Sequence, residues 1–226
     1  MIFKQLFDVK SSTYTYLISS GLGREALIID PVIENVSTYI SLLKELDLKL
    51  VKVIDTHIHA DHVTGASKLK DATKCSTIMG EKSPAETVEI KVKDDEYINL
   101  DNIKIRAIYT PGHTSDSYSF LLNNCLFSGD TLLINGTGRT DFQNGNAKDS
   151  YNSIFNKLLK LPEETLLYPA HDYKGEKVST IGKEKKQNPR LQVNSVEEYI
   201  EIMNNLDLKK PAQLESNVSR NIKLGA

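Results

Sequence analysis

Seven residues, Thr56-His57-Ile58-His59-Ala60-Asp61-His62, constrain this chain more than any other stretch. Four groups able to ligate a metal lie within six positions, directly after the apolar run Leu50 to Ile54, which reads as a buried strand. Backbone at the end of a strand is held firmly, so a ligand loop that starts there is pre-positioned. In an extended segment, residues two apart project to one side, which predicts that His57, His59 and Asp61 converge while His62 faces elsewhere. Imidazole nitrogen mixed with carboxylate oxygen suits zinc and ferrous iron, in a one-centre or a two-centre site. A lone histidine is more often a packed core or surface residue than a ligand. Here the chain has five His in total, and three of them fall in this loop.

The other two repeat the pattern. Ile103 to Tyr109 reads as a strand and is followed by Thr110-Pro111-Gly112-His113-Thr114, where Pro and Gly make a tight turn that leaves His113 at the strand's end. Cys125 to Phe127 is followed by Ser128-Gly129-Asp130, and Thr165 to Tyr168 by Pro169-Ala170-His171-Asp172-Tyr173. Four strand ends thus present seven candidate ligands. A closed structural zinc site would favour cysteine and four ligands, and this set contains no cysteine.

Around these turns the chain alternates sheet and helix. Phe3 to Phe7, Tyr14 to Ser19 and Ala26 to Asp30 form an opening antiparallel meander. Val36, Tyr39, Ile40, Leu43 and Leu46 recur with helical spacing, and a second helix is expected over 61–71 with Asp61 near its positive N-terminus. Cys75 to Met79, Tyr97 to Leu100 and Tyr118 to Leu122 read as strands, and the Lys/Glu-rich piece from Glu81 to Asp95 as mostly solvated. A helix through Tyr151 to Leu159, capped by Asp149 or Ser150, and a last one within Val196 to Leu206 complete the reading.

Composition narrows the class of partner. With 226 residues and 39% hydrophobic residues the chain can bury a sizeable core, and one domain over 1–226 is the simpler organisation. The net charge of −2 comes from interspersed acids and bases, so neither nucleic acid nor an anionic membrane is an expected partner. No segment approaches the ~20 apolar residues of a membrane span, and the first residues resemble neither a signal nor a transit sequence, so the cytoplasm is the expected compartment. Cys75 and Cys125 form no close-spaced ligand pair, and Cys125 reads as a buried, inert thiol.

The order of motifs resembles the metallo-β-lactamase superfamily, whose members carry His-x-His-x-Asp-His, a later His, an Asp and a final His at strand ends of an αββα four-layer sandwich. Narrower signals are similar to its persulfide dioxygenase (ETHE-type) branch and span nearly the whole chain. They are Phe3 to Asp8, Ser12 to Leu17, Ile29-Asp30-Pro31-Val32, Gly138-Arg139-Thr140-Asp141-Phe142-Gln143, Tyr168 to Tyr173 and Asn188-Pro189-Arg190-Leu191. Two departures are visible: Thr137 stands where members often carry Cys, and Ser128 where they often carry Thr, so a thiol role at 137 cannot apply.

The resemblance implies one Fe(II) per chain held by His57, His113 and Asp130, a two-His-one-carboxylate set with positions left for substrate and O2. It further implies oxidation of a small persulfide such as glutathione persulfide to sulfite and thiol. His59, Asp61, His62 and His171 would then orient the ligands by hydrogen bonds, although the residues alone leave a second metal open. Arg139 and Asp172 are the candidates for catalytic contacts. Arg139, Tyr173 and Arg190 are candidates for binding the thiol carrier, and Arg139 could equally brace Asp141 or Asp172. The chain shows no rhodanese-type segment, so a sulfur-donating sulfurtransferase would be a separate partner. An exposed meander edge leaves a homodimer open. The rival reading is a dinuclear thioester hydrolase of the glyoxalase II kind. There His57, His59 and His113 hold one zinc, Asp61, His62 and His171 the other, and Asp130 bridges them. Such hydrolases usually carry a longer helical C-terminal domain, whereas 55 residues follow His171 here.

Overall fold

The apolar runs assemble into two six-stranded sheets that share one interior. The computed structural model describes residues 1–210 and 213–226. The first sheet has the order β1 (Ile2–Asp8), β2 (Thr13–Ser19), β3 (Glu25–Ile29), β4 (Lys49–Ile54), β5 (Ser76–Gly80), β6 (Ile90–Val92). Its first three strands form the expected antiparallel meander, and β3 to β6 run parallel. Parallel pairing needs crossovers, and the two helical patterns supply them: α1 (Val36–Glu45) joins β3 to β4, and α2 (Ala66–Thr73) joins β4 to β5.

The second sheet contains β7 (Tyr97–Leu100), β8 (Ile103–Tyr109), β9 (Tyr118–Leu122), β10 (Cys125–Gly129), β13 (Leu166–Pro169) and β14 (Ser179–Thr180), in the order β14-β13-β10-β9-β8-β7. A two-stranded ribbon, β11 (Leu132–Leu133) with β12 (Gly136–Thr137), stands at the end of β10. Helices α3 (Ala147–Asn156), α4 (Ile181–Gln187) and α5 (Val196–Asn204) cover this sheet, and α6 (Leu214–Asn221) follows.

Alternation along the strands decides which residues go where. Tyr16, Ile18, Leu27, Ile29 and Ile54 of the first sheet meet Ile105, Phe120, Leu122 and Phe127 of the second in the central core. On the outer face of the first sheet, Leu17, Ile28 and Val53 pack on Tyr39 and Leu43 of α1 and Leu69 of α2. On the outer face of the second, Leu126 and Leu167 pack on Ile154 of α3 and Tyr199 and Met203 of α5. The result is the expected αββα sandwich.

Three local expectations are corrected. The helix expected over 61–71 begins only at Ala66, so Asp61 lies in a loop rather than at a helix N-terminus. Helix α3 starts earlier than expected, capped by Asn146 accepting from the Asp149 N–H, and stops at Asn156; Leu158–Lys160 is a separate short turn. The Lys/Glu-rich stretch is mostly exposed, as expected, and contributes the short edge strand β6. Cys125, at the start of β10, is half-buried instead of buried, and both cysteines are free. Among the described residues no helix is long and apolar enough to cross a membrane.

Candidate metal centre

Strands β4, β8, β10 and β13 deliver His57, His113, Asp130 and His171 to one end of the sandwich. Glycine permits two of the turns. Gly112 before His113 has φ +144° and Gly129 before Asp130 has φ +54°, and a Cβ at either would fall within 2.7 Å of Ser150 or Thr56 atoms. His57 Nε2 and His113 Nε2 lie 3.9 Å and 3.5 Å from the same oxygen of Asp130, Oδ2. All three donor atoms fall within 4.8 Å of one another. Donors about 2.1 Å from one ion stand about 3–4 Å apart, so the triad could hold one first-row metal.

The tautomers agree with that use. His113 Nδ1 donates to the Arg139 carbonyl at 2.7 Å, which leaves the Nε2 lone pair facing Asp130. Thr56 Oγ1 donates to Asp30 Oδ2 at 3.0 Å and accepts from His57 Nδ1 at 3.0 Å, so His57 is pinned in the same way. Burial, reinforced by the neighbouring His59 and His113, holds His57 well below the usual imidazole range and therefore in the neutral form a ligand needs.

The remaining groups are tied to one another. Asp61 Oδ2 accepts from His62 Nδ1 and from His171 Nε2, each at 2.8 Å, and from Thr13 Oγ1 at 3.2 Å. His171 Nδ1 donates to Asp130 Oδ1 at 2.6 Å. Burial disfavours charge on His171, but the carboxylates of Asp130 and Asp61 outweigh it and raise its pKa well above the ordinary value. The His171 ring thus connects the carboxylates of Asp130 and Asp61. Two atoms point inward without a hydrogen-bond partner among the described residues, His59 Nδ1 and His62 Nε2. Their rings lie 4.4 Å apart, and His59 is 4.2 Å from His57. With its Nδ1 donating to Asp61, His62 keeps a lone pair on Nε2 of the kind a metal ligand offers.

The extended alternation expected for the loop is therefore broken. His57 joins His113 and Asp130, and His62, expected to face elsewhere, comes together with His59 and Asp61. Residues 55–65 form turns rather than a strand, and distant side chains satisfy their backbone. Asp30 accepts from the Thr56 N–H at 2.7 Å, Asp116 from the Ile58 N–H at 3.0 Å, and Gln143 donates to the Ile58 carbonyl at 2.6 Å. Thr13, Asp30 and Asp116 were absent from the sequence-derived candidates. The signal for Asp30 is a carboxylate at a strand end before Pro31, inside one of the quoted motifs.

Asp30 also accepts from His59 Nε2 at 3.1 Å, and Asp55 lies 3.8 Å from the same nitrogen. Burial opposes charge on His59, but the charge and hydrogen bond of Asp30, then Asp55 and Asp61, raise its pKa from 6.5 to about 9. Folding therefore favours the protonated ring. The pair's contribution is complete below pH 6.5 and is lost as pH rises through about 9. The melting temperature of metal-free protein is expected to fall across that window; a flat profile there contradicts the charged pair.

The centre opens on a cavity of about 920 Å³ lined in part by Asp61, His113, Asp130 and His171. Its wall also includes Leu133, Ile134 and Phe142, and Lys10, Lys174, Lys209 and Arg220 contribute basic groups. Residues 9–171 match the metallo-beta-lactamase superfamily. The persulfide dioxygenase ETHE1 of Mus musculus is 42% identical over all of this chain and 89% of its own length. The chain belongs to the persulfide dioxygenase family of that superfamily. The crystal structure of ETHE1 from Myxococcus xanthus agrees, with a TM-score of 0.98, 45% identity and full coverage of both chains. A hydroxyacylglutathione hydrolase of Dictyostelium discoideum is 33% identical over 73% of this chain and 64% of its own. The mouse relative is a mitochondrial protein, so the cytoplasm expected from the sequence draws no support from it.

In this family member the candidate contact residues are largely engaged with the protein. Arg139 pairs both its Nε and Nη2 with the Asp141 carboxylate at 2.7 Å, donates to the carbonyls of Lys209 and Leu208 at 2.7 and 3.1 Å, and lies over Phe142. Asp172 accepts the backbone N–H groups of Lys174 and Glu176 at 2.8 and 2.7 Å. Arg190 donates to the carbonyl and hydroxyl of Thr137. Tyr173 differs: the residue is 74% exposed, and its ring stacks over His171 with centroids 6.1 Å apart.

Proposed function

We propose that the protein is an Fe(II)-dependent persulfide dioxygenase that converts a small persulfide, O2 and water into the thiol, sulfite and two protons. One observation carries the reading. His57, His113 and Asp130 bring one donor atom each within 4.8 Å of one another beside a cavity, in a chain that belongs to the persulfide dioxygenase family. A ferrous ion held by that triad would supply the redox chemistry with O2 at the terminal sulfur.

The chain's own residues do the rest. The Arg139 carbonyl and Thr56 hold the two imidazoles in the tautomer that keeps Nε2 free. His171 steers Asp130 so that Oδ2 faces the centre. Leu133, Ile134 and Phe142 make part of the wall apolar, which favours a dry reaction site. The basic groups of Lys10, Lys174, Lys209 and Arg220 suit the carboxylates of a carrier such as glutathione, and Tyr173 is placed to touch it. Arg139 and Asp172 act by shaping the mouth: one ties down Leu208 and Lys209, the other fixes the turn after His171.

Metal content of anaerobically purified protein, paired with O2 uptake on adding glutathione persulfide, tests the assignment. The expected result is about one iron per chain and oxygen consumption that disappears in His113→Ala, because two remaining protein ligands do not make the facial set. Two zinc ions per chain, no oxygen uptake and hydrolysis of S-lactoylglutathione would replace it with the hydrolase reading.

A further inference from the structure

We propose that helix α6 clamps the metal-binding loop, with Asn221 and Asn217 as positioning residues. Asn221 Nδ2 donates to the carbonyls of His59 and His62, each at 2.8 Å, while its Oδ1 accepts from the Thr64 N–H at 2.9 Å. Asn217 Nδ2 donates to the Ala60 carbonyl at 2.9 Å. Both side chains are nearly fully buried, at 2% and 4% exposure. Four residues apart on a helix, they share one face, and a planar amide offers the two donors and the acceptor that this irregular backbone lacks.

The clamp is itself anchored. Ser67 N–H donates to the Leu224 carbonyl and Glu86 N–H to that of Ile222, both at 3.0 Å. Gly225 lies so close that a Cβ there would sit 2.0 Å from the Thr64 carbonyl oxygen. The carbonyls held by Asn221 bracket Asp61. From Asp61 one hydrogen bond leads to His171 and a second to Asp130, so a loosened loop reaches the triad through two contacts. The same helix supplies Leu214, Ser216 and Arg220 to the cavity wall. One element therefore touches both whatever fills the cavity and the loop behind it.

This inference rests on the site being a metal centre, not on the reaction performed there. The test measures Zn(II) or Co(II) affinity by chelator competition and hydrogen exchange of amides 59–64. The variants are Asn221→Ala, Asn221→Asp and Asn217→Ala, with Leu43→Ala in the α1 core as a control for general destabilisation. Asn221→Asp keeps the acceptor for Thr64 but sets a carboxylate against two carbonyls. Both Asn221 variants are expected to bind metal about 10–100-fold more weakly, with faster exchange confined to the loop and α6. Leu43→Ala is expected to lower the melting temperature and keep its metal affinity. Wild-type affinity in the Asn221 variants, exchange rising equally through β9 and β10, or an equal affinity loss in Leu43→Ala would overturn the clamp. Should the Asn221 variants fail to fold, Asn217→Ala decides by the same criteria. Absence of dioxygenase activity would count against the proposed reaction and leave these readouts standing.

Discussion

Gly138→Ala is expected to cost the metal centre about 100-fold in affinity or in kcat/KM while the sandwich still folds. The glycine sits where the segment leaving β12 passes between two ligands. A Cβ there would lie 2.0 Å from the Asp130 carbonyl oxygen and 2.9 Å from His113 Cγ and Nδ1. Neither neighbour has room to move. Asp130 directly follows β10, and the His113 ring is fastened by its bond to the Arg139 carbonyl one residue further on. An added methyl must therefore displace a ligand, and a misplacement of about 1 Å at a reacting centre costs on the order of 100-fold. The global cost is smaller, about 1–3 kcal/mol for overpacking. Gly136→Ala is the control, because a Cβ there meets only ordinary contacts at 3.9 and 4.0 Å. Metal content after dialysis against a chelator, read beside the melting temperature, separates the two effects. Gly138→Ala protein that retains its metal would show that this packing does not define the centre.

The second large effect is expected at Asp30→Asn. Asp30 has φ 51°, a left-handed conformation that Asn also tolerates, so the substitution leaves the backbone alone and changes only chemistry. Its two oxygens accept from the Thr56 N–H, the Thr56 hydroxyl and His59 Nε2. An amide keeps one acceptor and turns two donors toward groups that also donate. Breaking a buried pair of this kind costs about 3–5 kcal/mol. The Thr56 hydroxyl loses the acceptor that orients it, and the tautomer of His57 is no longer fixed, which is expected to weaken metal binding about 10–100-fold. Denaturant unfolding and chelator competition measure the two losses. A variant as stable as the parent and equally tight for metal would remove Asp30 from this role.

Much of this architecture can be read from alternation and turns. The strands Tyr97–Leu100, Ile103–Tyr109 and Tyr118–Leu122 and the ligand groups at strand ends follow from local pattern, because each strand buries a face and Pro or Gly marks the turns before His113, Asp130 and His171. What lies beyond local pattern is the conformation of residues 55–65. A helix start after Asp61 is a fair local reading, but Asp116, Gln143, Asn217 and Asn221 satisfy those peptide groups from far along the chain. Helix α6 escaped notice for a related reason: its buried face carries asparagines, so it lacks the apolar stripe by which a helix announces itself. Helix α4, with the sequence Ile-Gly-Lys-Glu-Lys-Lys-Gln, is too short and polar to stand out. For Arg139 the sequence leaves a substrate role and a brace to Asp141 or Asp172 equally open, and only its surroundings reveal that its donors already have partners.

The hydrogen bonds from Asn221 to His59 and His62 span 162 and 159 positions of sequence. Contacts so remote form only after most chain entropy has been surrendered, and they are among the first to open when an end helix lifts away. The sheets can consolidate from neighbouring strands long before the ligand loop takes its final shape. Any metal binding that needs this loop is then expected late in folding and is expected to be lost early in unfolding.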